Sequence, residues 1–259
     1  MSAELVLWEK RDNFAVITLN RPPMNPLNSE AFQQLGEILS GIESDPTLKA
    51  VIFNASGGKA FCTGIDIAEI KDFSSLQMYE FCLQSRSSLN KIENLNKPTI
   101  AVISGLALGG GCELALTCDF RLAGENARFG QPEINLGIIP GGGGSQRLPR
   151  LIGLARAKEM LLLGDMIDAG TALEYGLVNE VFPEAELMAE AEKLAQKLAS
   201  KAPVAMQVLK KTINMGQNLD LPSATQFEIE SFMLSFNTED RREGIDALLE
   251  KRRPDFKGR

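Results

Sequence analysis

Short apolar segments of strand length alternate along this chain with glycine-bearing corners and helical stretches, and that alternation restricts it to a layered α/β architecture. Lys49 to Asn54 reads as a buried strand, and the polar, glycine-containing stretch Ala55 to Asp66 after it reads as a loop. A helical stretch through about Asn94 gives way at Lys97-Pro98 to a strand over Thr99 to Ser104, and Gly109-Gly110-Gly111 then leads into helix-forming residues from Cys112 to Cys118. Upstream, Leu5 to Trp8 and Phe14 to Leu19 flank the polar Asp12-Asn13 pair as the arms of a hairpin would. Phe32, Leu35, Ile38, Leu39 and Ile42 recur at helical spacing, with Ser29 as the expected N-cap and Asp45-Pro46 as the stop. Past about residue 145 the pattern turns helical: Leu187, Ala191, Leu194 and Leu198 form one stripe, and Pro203 stands where a helix N1 proline belongs. The expected division is a core over residues 1–200 and a helical region over 201–259. Residues Phe227 to Phe236 are apolar on more than one side, so these helices either wrap the core or form an interface between copies.

The 259 residues contain no histidine. Ser-His-Asp and Cys-His hydrolytic sites, histidine zinc sites and histidine general bases are thereby excluded, and proton transfer falls to carboxylates, Lys, Tyr or Cys. Cys62, Cys82, Cys112 and Cys118 show no CxxC spacing and read as small buried hydrophobes in a reducing compartment. A net charge of −7 opposes general binding to nucleic acid or anionic membranes. No apolar run is long enough to span a bilayer and Met1 to Lys10 lacks a secretory pattern, so the expected location is cytoplasmic. Basic residues gather near the end of the chain, including Arg241, Lys251, Arg252 and Lys257, as either a solvated helix face or an anion contact.

Three glycine-bearing segments suggest a site lined by main chain: residues 60–67, 105–114, and 130–133 together with 139–144. Gly109-Gly110-Gly111 presents unsatisfied N–H groups at a helix start, fit for a phosphate or a developing oxyanion. The same glycines equally suit tight helix–strand packing, and neither a GxGxxG nor a Walker ending is present. Glu113 follows in the first turn, within an apolar run, either as a complement to the helix dipole or as a functional group in a pocket. Glu133, beyond an extended Gly130-Gln131-Pro132 turn, supplies a candidate partner. Two carboxylates in apolar surroundings can be driven apart in protonation, giving one acid and one base.

Gly-Leu-Ala-Leu-Gly-Gly-Gly-Cys-Glu-Leu at 105–114, Cys-Asp at 118–119, Phe-Gly-Gln-Pro-Glu at 129–133 and Ile-Pro-Gly at 139–141 resemble the enoyl-CoA hydratase (crotonase) family. The likeness extends to Asn20-Arg21-Pro22, Gly176-Leu177-Val178, Asp240-Arg241-Arg242-Glu243-Gly244 and Phe256-Lys257. The resemblance implies a crotonase-like spiral of repeated ββα units with a C-terminal helical trimerisation region, assembled as a trimer or a dimer of trimers. It implies an acyl-CoA thioester substrate, with the N–H groups of Ile65 and Gly110 as the oxyanion hole and Glu113 and Glu133 as the pair that binds and activates water. Gly141 matches a water-positioning N–H, and Lys251 a lysine that contacts CoA. Thr63, Asp66, Ile67 and Ala68 match the CoA and substrate segment, although Ala68 stands where many members carry a lysine. Position 65 is often Ala in the family, and Ile65 is expected to narrow the pocket. Met24-Asn25-Pro26 has a proline where a small residue is usual.

The reaction implied is reversible hydration of a trans-2-enoyl-CoA, of the fatty-acid β-oxidation or 3-hydroxybutyryl-CoA type, with no metal and no cofactor beyond CoA as part of the substrate. The alternatives are an isomerase, thioester hydrolase or decarboxylase on the same scaffold, or a non-catalytic CoA-binding module. Keeping both glutamates favours water addition.

Overall fold

The structure, a computed structural model, describes residues 3–259. It opens with strands β1 (Val6–Arg11) and β2 (Phe14–Leu19), antiparallel about the Asp12-Asn13 turn, and helix α1 (Ser29–Ser44). Asn28, not Ser29, is the N-cap: Asn28 has extended backbone angles and its side chain accepts from the Ala31 N–H, whereas Ser29 is already helical and donates its N–H to Glu69.

A repeated unit of two strands and a helix follows. Strands β3 (Ala50–Ala55) and β4 (Ala60–Cys62) precede the short α2 (Ile67–Ile70) and the long α3 (Ser75–Glu93). Strands β5 (Thr99–Ile103) and β6 (Leu106–Leu108) precede α4 (Gly110–Thr117). Strands β7 (Phe120–Gly124) and β8 (Arg128–Gly130) precede a 3₁₀ turn (Pro132–Leu136) and helices α5 (Gly144–Ile152) and α6 (Leu154–Leu163). The chain continues through β9 (Met166–Asp168), α7 (Ala169–Glu174), β10 (Glu180–Phe182) and four helices, α8 (Glu184–Ala199), α9 (Pro203–Gly216), α10 (Leu221–Phe236) and α11 (Glu239–Leu249).

In each of the three repeats the first strand enters a six-stranded sheet of order β1-β2-β3-β5-β7-β10, and the second enters a four-stranded sheet of order β4-β6-β8-β9. The chain is therefore a coil whose successive turns stack in parallel. The expected loop at residues 55–66 contains β4, and the expected helical half contains β9 and β10; all three are strands of only three residues.

Side chains alternate across the large sheet as the pleat requires. Ala15 and Ile17 join the core between the sheets, with Phe53, Phe61, Ile103 and Phe129. Phe14 and Val16 join a second core on the opposite face, with Ile52, Ile100 and Leu122. There Leu187, Ala191 and Ala195 of α8 cover the sheet, flanked by partly buried Leu194 and Leu198. A sheet buried on both faces reads as continuous apolar runs, as β3 and β5 do.

Two carboxylates fasten the C-terminal helices. Asp119 accepts from the Thr99 N–H and hydroxyl and meets Lys210 Nζ of α9 at 2.7 Å. Asp240, 2 % exposed at the start of α11, accepts from the N–H groups of Lys257 (2.6 Å) and Gly258 (2.8 Å), tying down the last residues. Helices α9 and α10 pack on each other and leave Leu209, Ile213, Ile229, Phe232, Met233 and Leu234 exposed.

Candidate active site

Strands β4, β6 and β8 of the small sheet run parallel and end on the same side, and the corners that follow them line one cavity of about 760 Å³. Ligand crevices of parallel α/β folds lie at the carboxyl ends of strands for the same topological reason.

The first corner presents Ile65. Leu27 donates its N–H to the Gly64 carbonyl and accepts from the Asp66 N–H, each at 2.8 Å, which makes a parallel bridge opposite Ile65. Backbone groups alternate in direction along an extended chain, so the Ile65 N–H is turned away from Leu27. Among the described residues it has no protein acceptor. Gly64 has φ +105°, and a Cβ there would crowd the Leu108 carbonyl and the Gly110 nitrogen at 3.2 and 3.3 Å. That clearance sets the first corner against the second.

The second corner presents Gly110 as the first residue of α4, where an N–H has no partner within the helix. A Cβ at Gly110 would lie 3.5 Å from Ile65 Cγ2, so the two free N–H groups belong to adjoining residues. The two readings of the glycine run fall on different positions: Gly111 packs closely, since a Cβ there would sit 2.1 Å from the Cys62 carbonyl oxygen, and Gly110 keeps a free N–H at the helix start.

Glu113 projects from the first turn of α4 and is 4 % exposed. Its Oε1 accepts from the N–H groups of Gly142 (2.8 Å) and Gly144 (2.7 Å). Glu133, in the third corner, is the second residue of a 3₁₀ turn that begins at Pro132, so the expected extended Gly130-Gln131-Pro132 turn ends one residue early, because Pro132 starts a helical turn well. Its carboxylate faces Gly109: a Cβ on that residue would meet Glu133 Oε1 at 3.0 Å. Fully buried Gln131, with its amide nitrogen toward Glu133, donates to Oε1 (3.1 Å) and Oε2 (3.2 Å), the orientation that satisfies both groups.

Burial pushes both carboxyls up. For Glu113 it is opposed by the glycine N–H donors and the nearby Arg147 charge, which favour the anion. Glu133 is pushed up to about 7, by burial first and then by the Glu113 charge. The pair therefore sets two carboxyls that burial disfavours as anions in one cavity, Glu113 with dedicated main-chain donors and Glu133 titrating near neutrality.

Thr63, Ile65, Ile67, Gly110, Glu113, Glu133 and Gly141 all line the cavity. Asp66, Ala68 and Lys251 do not. Asp66 caps α2 through the Ala68 N–H and pairs with Arg21 at 2.8 Å, while Ala68 is exposed. Lys251 follows α11 in a left-handed turn with φ +56°. Arg21 also donates to the Pro26 carbonyl, and buried Asn25 donates to the Ser56 and Ala60 carbonyls. The Asn20-to-Pro26 segment is thus a buttress for the Ile65 corner.

Cys82 corrects its expected burial: it is half-buried on α3 and lines the cavity, where burial and the Glu113 charge push its thiol up. The remaining wall is apolar, with Phe32, Phe73, Met78, Phe81 and Leu89. Among the described residues no cluster of three or more His, Cys, Asp or Glu could hold a metal, and no helix is long and apolar enough to cross a membrane.

A sequence model of the family described as enoyl-CoA hydratase/isomerase matches residues 9–259. The chain belongs to this family. Among relatives of this enoyl-CoA hydratase/isomerase, the short-chain-enoyl-CoA hydratase of Clostridium acetobutylicum is 43% identical over 100% of both chains. The crotonyl-CoA hydratase of Syntrophomonas wolfei is 42% identical over 99% of each. The crystal structure of an enoyl-CoA hydratase from Bacillus anthracis is 40% identical and superposes with a TM-score of 0.95, covering 98% of this chain and 100% of that one. The spiral expected from the motifs is the fold these proteins share.

Proposed function

We propose that this family member is an enoyl-CoA hydratase acting through Glu113 and Glu133, adding water to a trans-2-enoyl-CoA to give the 3-hydroxyacyl-CoA. The observation that carries the reading is the meeting of a buried carboxylate, Glu113, and a half-buried one, Glu133, with two unpartnered main-chain N–H groups in one apolar cavity. With the thioester oxygen between the Ile65 and Gly110 N–H groups, the carbonyl is polarised and Cβ becomes electrophilic. Glu113 takes a proton from water as its oxygen bonds to Cβ, while Glu133 delivers a proton to Cα. Negative charge that gathers on the thioester oxygen meets donors already in place, and losing one such donor typically lowers the rate about 10²–10³-fold.

Gly141, at the cavity wall beside Cys82, is assigned to placing the water, and Thr63, Asp66, Ile67 and Ala68 to the entry side for CoA. Lys251 lies outside the cavity wall and is assigned to the distal, phosphate-bearing part of CoA. The apolar faces of α9 and α10 support assembly through the region 201–259, as a trimer or paired trimers, and four free cysteines fit a cytoplasmic location.

Mixing the protein with crotonyl-CoA tests the reading. Hydration removes the absorbance of the conjugated thioester without releasing thiol, whereas release of thiol would assign a hydrolase and no change would leave a binding module. Glu113→Gln and Glu133→Gln should each lower kcat about 10²–10⁴-fold, the usual contribution of a positioned acid or base. Near wild-type turnover in either variant would remove that carboxylate from the mechanism.

A further inference from the structure

The Gly141-to-Gly144 loop that holds Glu113 has no side chains of its own. Four consecutive glycines lose more conformational freedom on folding than any other run of four, so an ordered geometry there needs an external restraint. Arg147, in the first turn of α5, supplies one. Its Nη1 donates to the Gly142 carbonyl at 2.8 Å. Its Nε and Nη2 fork onto the Glu93 carboxylate at 3.1 and 2.7 Å, and Nη2 also donates to Asn90 Oδ1 at 2.9 Å. Glu93 and Asn90 belong to the last turn of α3, a helix that also carries cavity residues Phe81, Cys82 and Leu89. The guanidinium side chain is 17% exposed. Its approach also explains Gly143, which has φ +109° and where a Cβ would lie 2.2 Å from Arg147 Nη1.

Gly142 is thus gripped from both sides, its carbonyl by Arg147 and its N–H by Glu113. We propose that Arg147 is a positioning residue of this active site: braced by Glu93 and Asn90, it fixes the glycine loop and thereby the Glu113 carboxylate. Planar, five-donor geometry is what the task requires. A lysine offers a point charge and no fork.

The proposal rests on the hydratase reading, and wild-type turnover of crotonyl-CoA in the same assay separates failure of one from failure of the other. In the full-length protein, Arg147→Gln should lower kcat about 10²-fold, the scale of a misplacement near 1 Å, with KM within about threefold. Arg147→Lys, which keeps the charge but not the fork, should recover only part of the loss. Glu93→Gln leaves every cavity-lining residue in place and should lower kcat about tenfold, and the double variant should be no worse than Arg147→Gln alone, because both act through one strut.

The pH profile separates positioning from general destabilisation. The groups facing Glu113 are Glu133 from the 3₁₀ turn, Cys82 from α3, Cys112 on its own helix and Arg147 from α5. Removing the Arg147 cation lets Glu113 hold its proton more tightly, so the acid limb of kcat should move to higher pH in Arg147→Gln and stay near wild type in Arg147→Lys. A folded Arg147→Gln protein with wild-type kcat overturns the proposal. So does a kcat loss whose acid limb does not move. If Arg147→Gln does not fold, a Glu93→Gln protein with unchanged kcat overturns it equally.

Discussion

Gly142→Ala adds one methyl group at a point the structure defines closely. The Cβ would stand 2.5 Å from Glu113 Oε2 and 2.7 Å from Leu89 Cδ1. Leu89 can swing its terminal methyl aside, but Glu113 is held through Oε1 by two N–H groups and has little freedom. Restoring a contact near 3.5 Å requires about 1 Å of movement, chiefly by the carboxylate. A 1 Å misplacement at a reacting centre lowers the rate about 10²-fold. Gly142 is not in the left-handed region, so the alanine meets no backbone penalty, and the change in stability should be small beside the change in rate. Gly41→Ala, on α1 and outside the cavity, is the control: there a Cβ meets nothing within 4 Å. Crotonyl-CoA turnover and thermal melting on the same samples decide the matter. A well-folded Gly142→Ala protein with wild-type kcat, or equal losses in the two variants, would show that the carboxylate is not where this geometry puts it.

Two further outcomes concern stability. The Glu133 carboxyl is held up near 7 from an ordinary value of 4.5, so ionising it disfavours the folded state: its neutral form costs nothing below the unfolded pKa, and the penalty develops as pH rises through about 7. Glu133→Gln should therefore raise Tm relative to wild type at pH 8–9 while leaving it nearly unchanged at pH 5; equal Tm values at both pH values would contradict the burial of that group. Asp240→Ala leaves the Lys257 and Gly258 N–H groups without their acceptor, and should make cleavage by trypsin after Lys251 and Arg252 faster through local opening of the tail; a wild-type cleavage rate would count against the latch.

Much of the candidate site was legible because its parts announce themselves locally. Glu113 sits in an apolar run just after three glycines, and Ile65, Gly110 and Glu133 fall in glycine-bearing segments whose spacing matches a family pattern. What escaped depends on contacts between distant residues. Arg147 reads as one more cation on a short amphipathic helix, since its partners Glu93 and Asn90 lie in another helix far upstream. Cys82 sits in the weakly amphipathic α3, whose sequence does not say which side meets the cavity. Strand β4 is three residues long behind Gly57 and Gly58, too short for a period to register. The Ser29 expectation failed by one position because Asn28 offers the same kind of side-chain acceptor. The Asp119 and Asp240 motifs were legible only as likeness, and the contacts they make show both to be fasteners for the C-terminal helices.

Each successive turn of the coil brings a different group to the same cavity: one amide after β4, a second amide with a carboxylate after β6, and the other carboxylate after β8. The frame and the chemistry are consequently separable. In the proposed reaction, rewriting the short hinge after β8 would change which proton is moved, or remove the movement altogether, while the two earlier turns went on gripping the same carbonyl. A scaffold wound this way can be retargeted one hinge at a time.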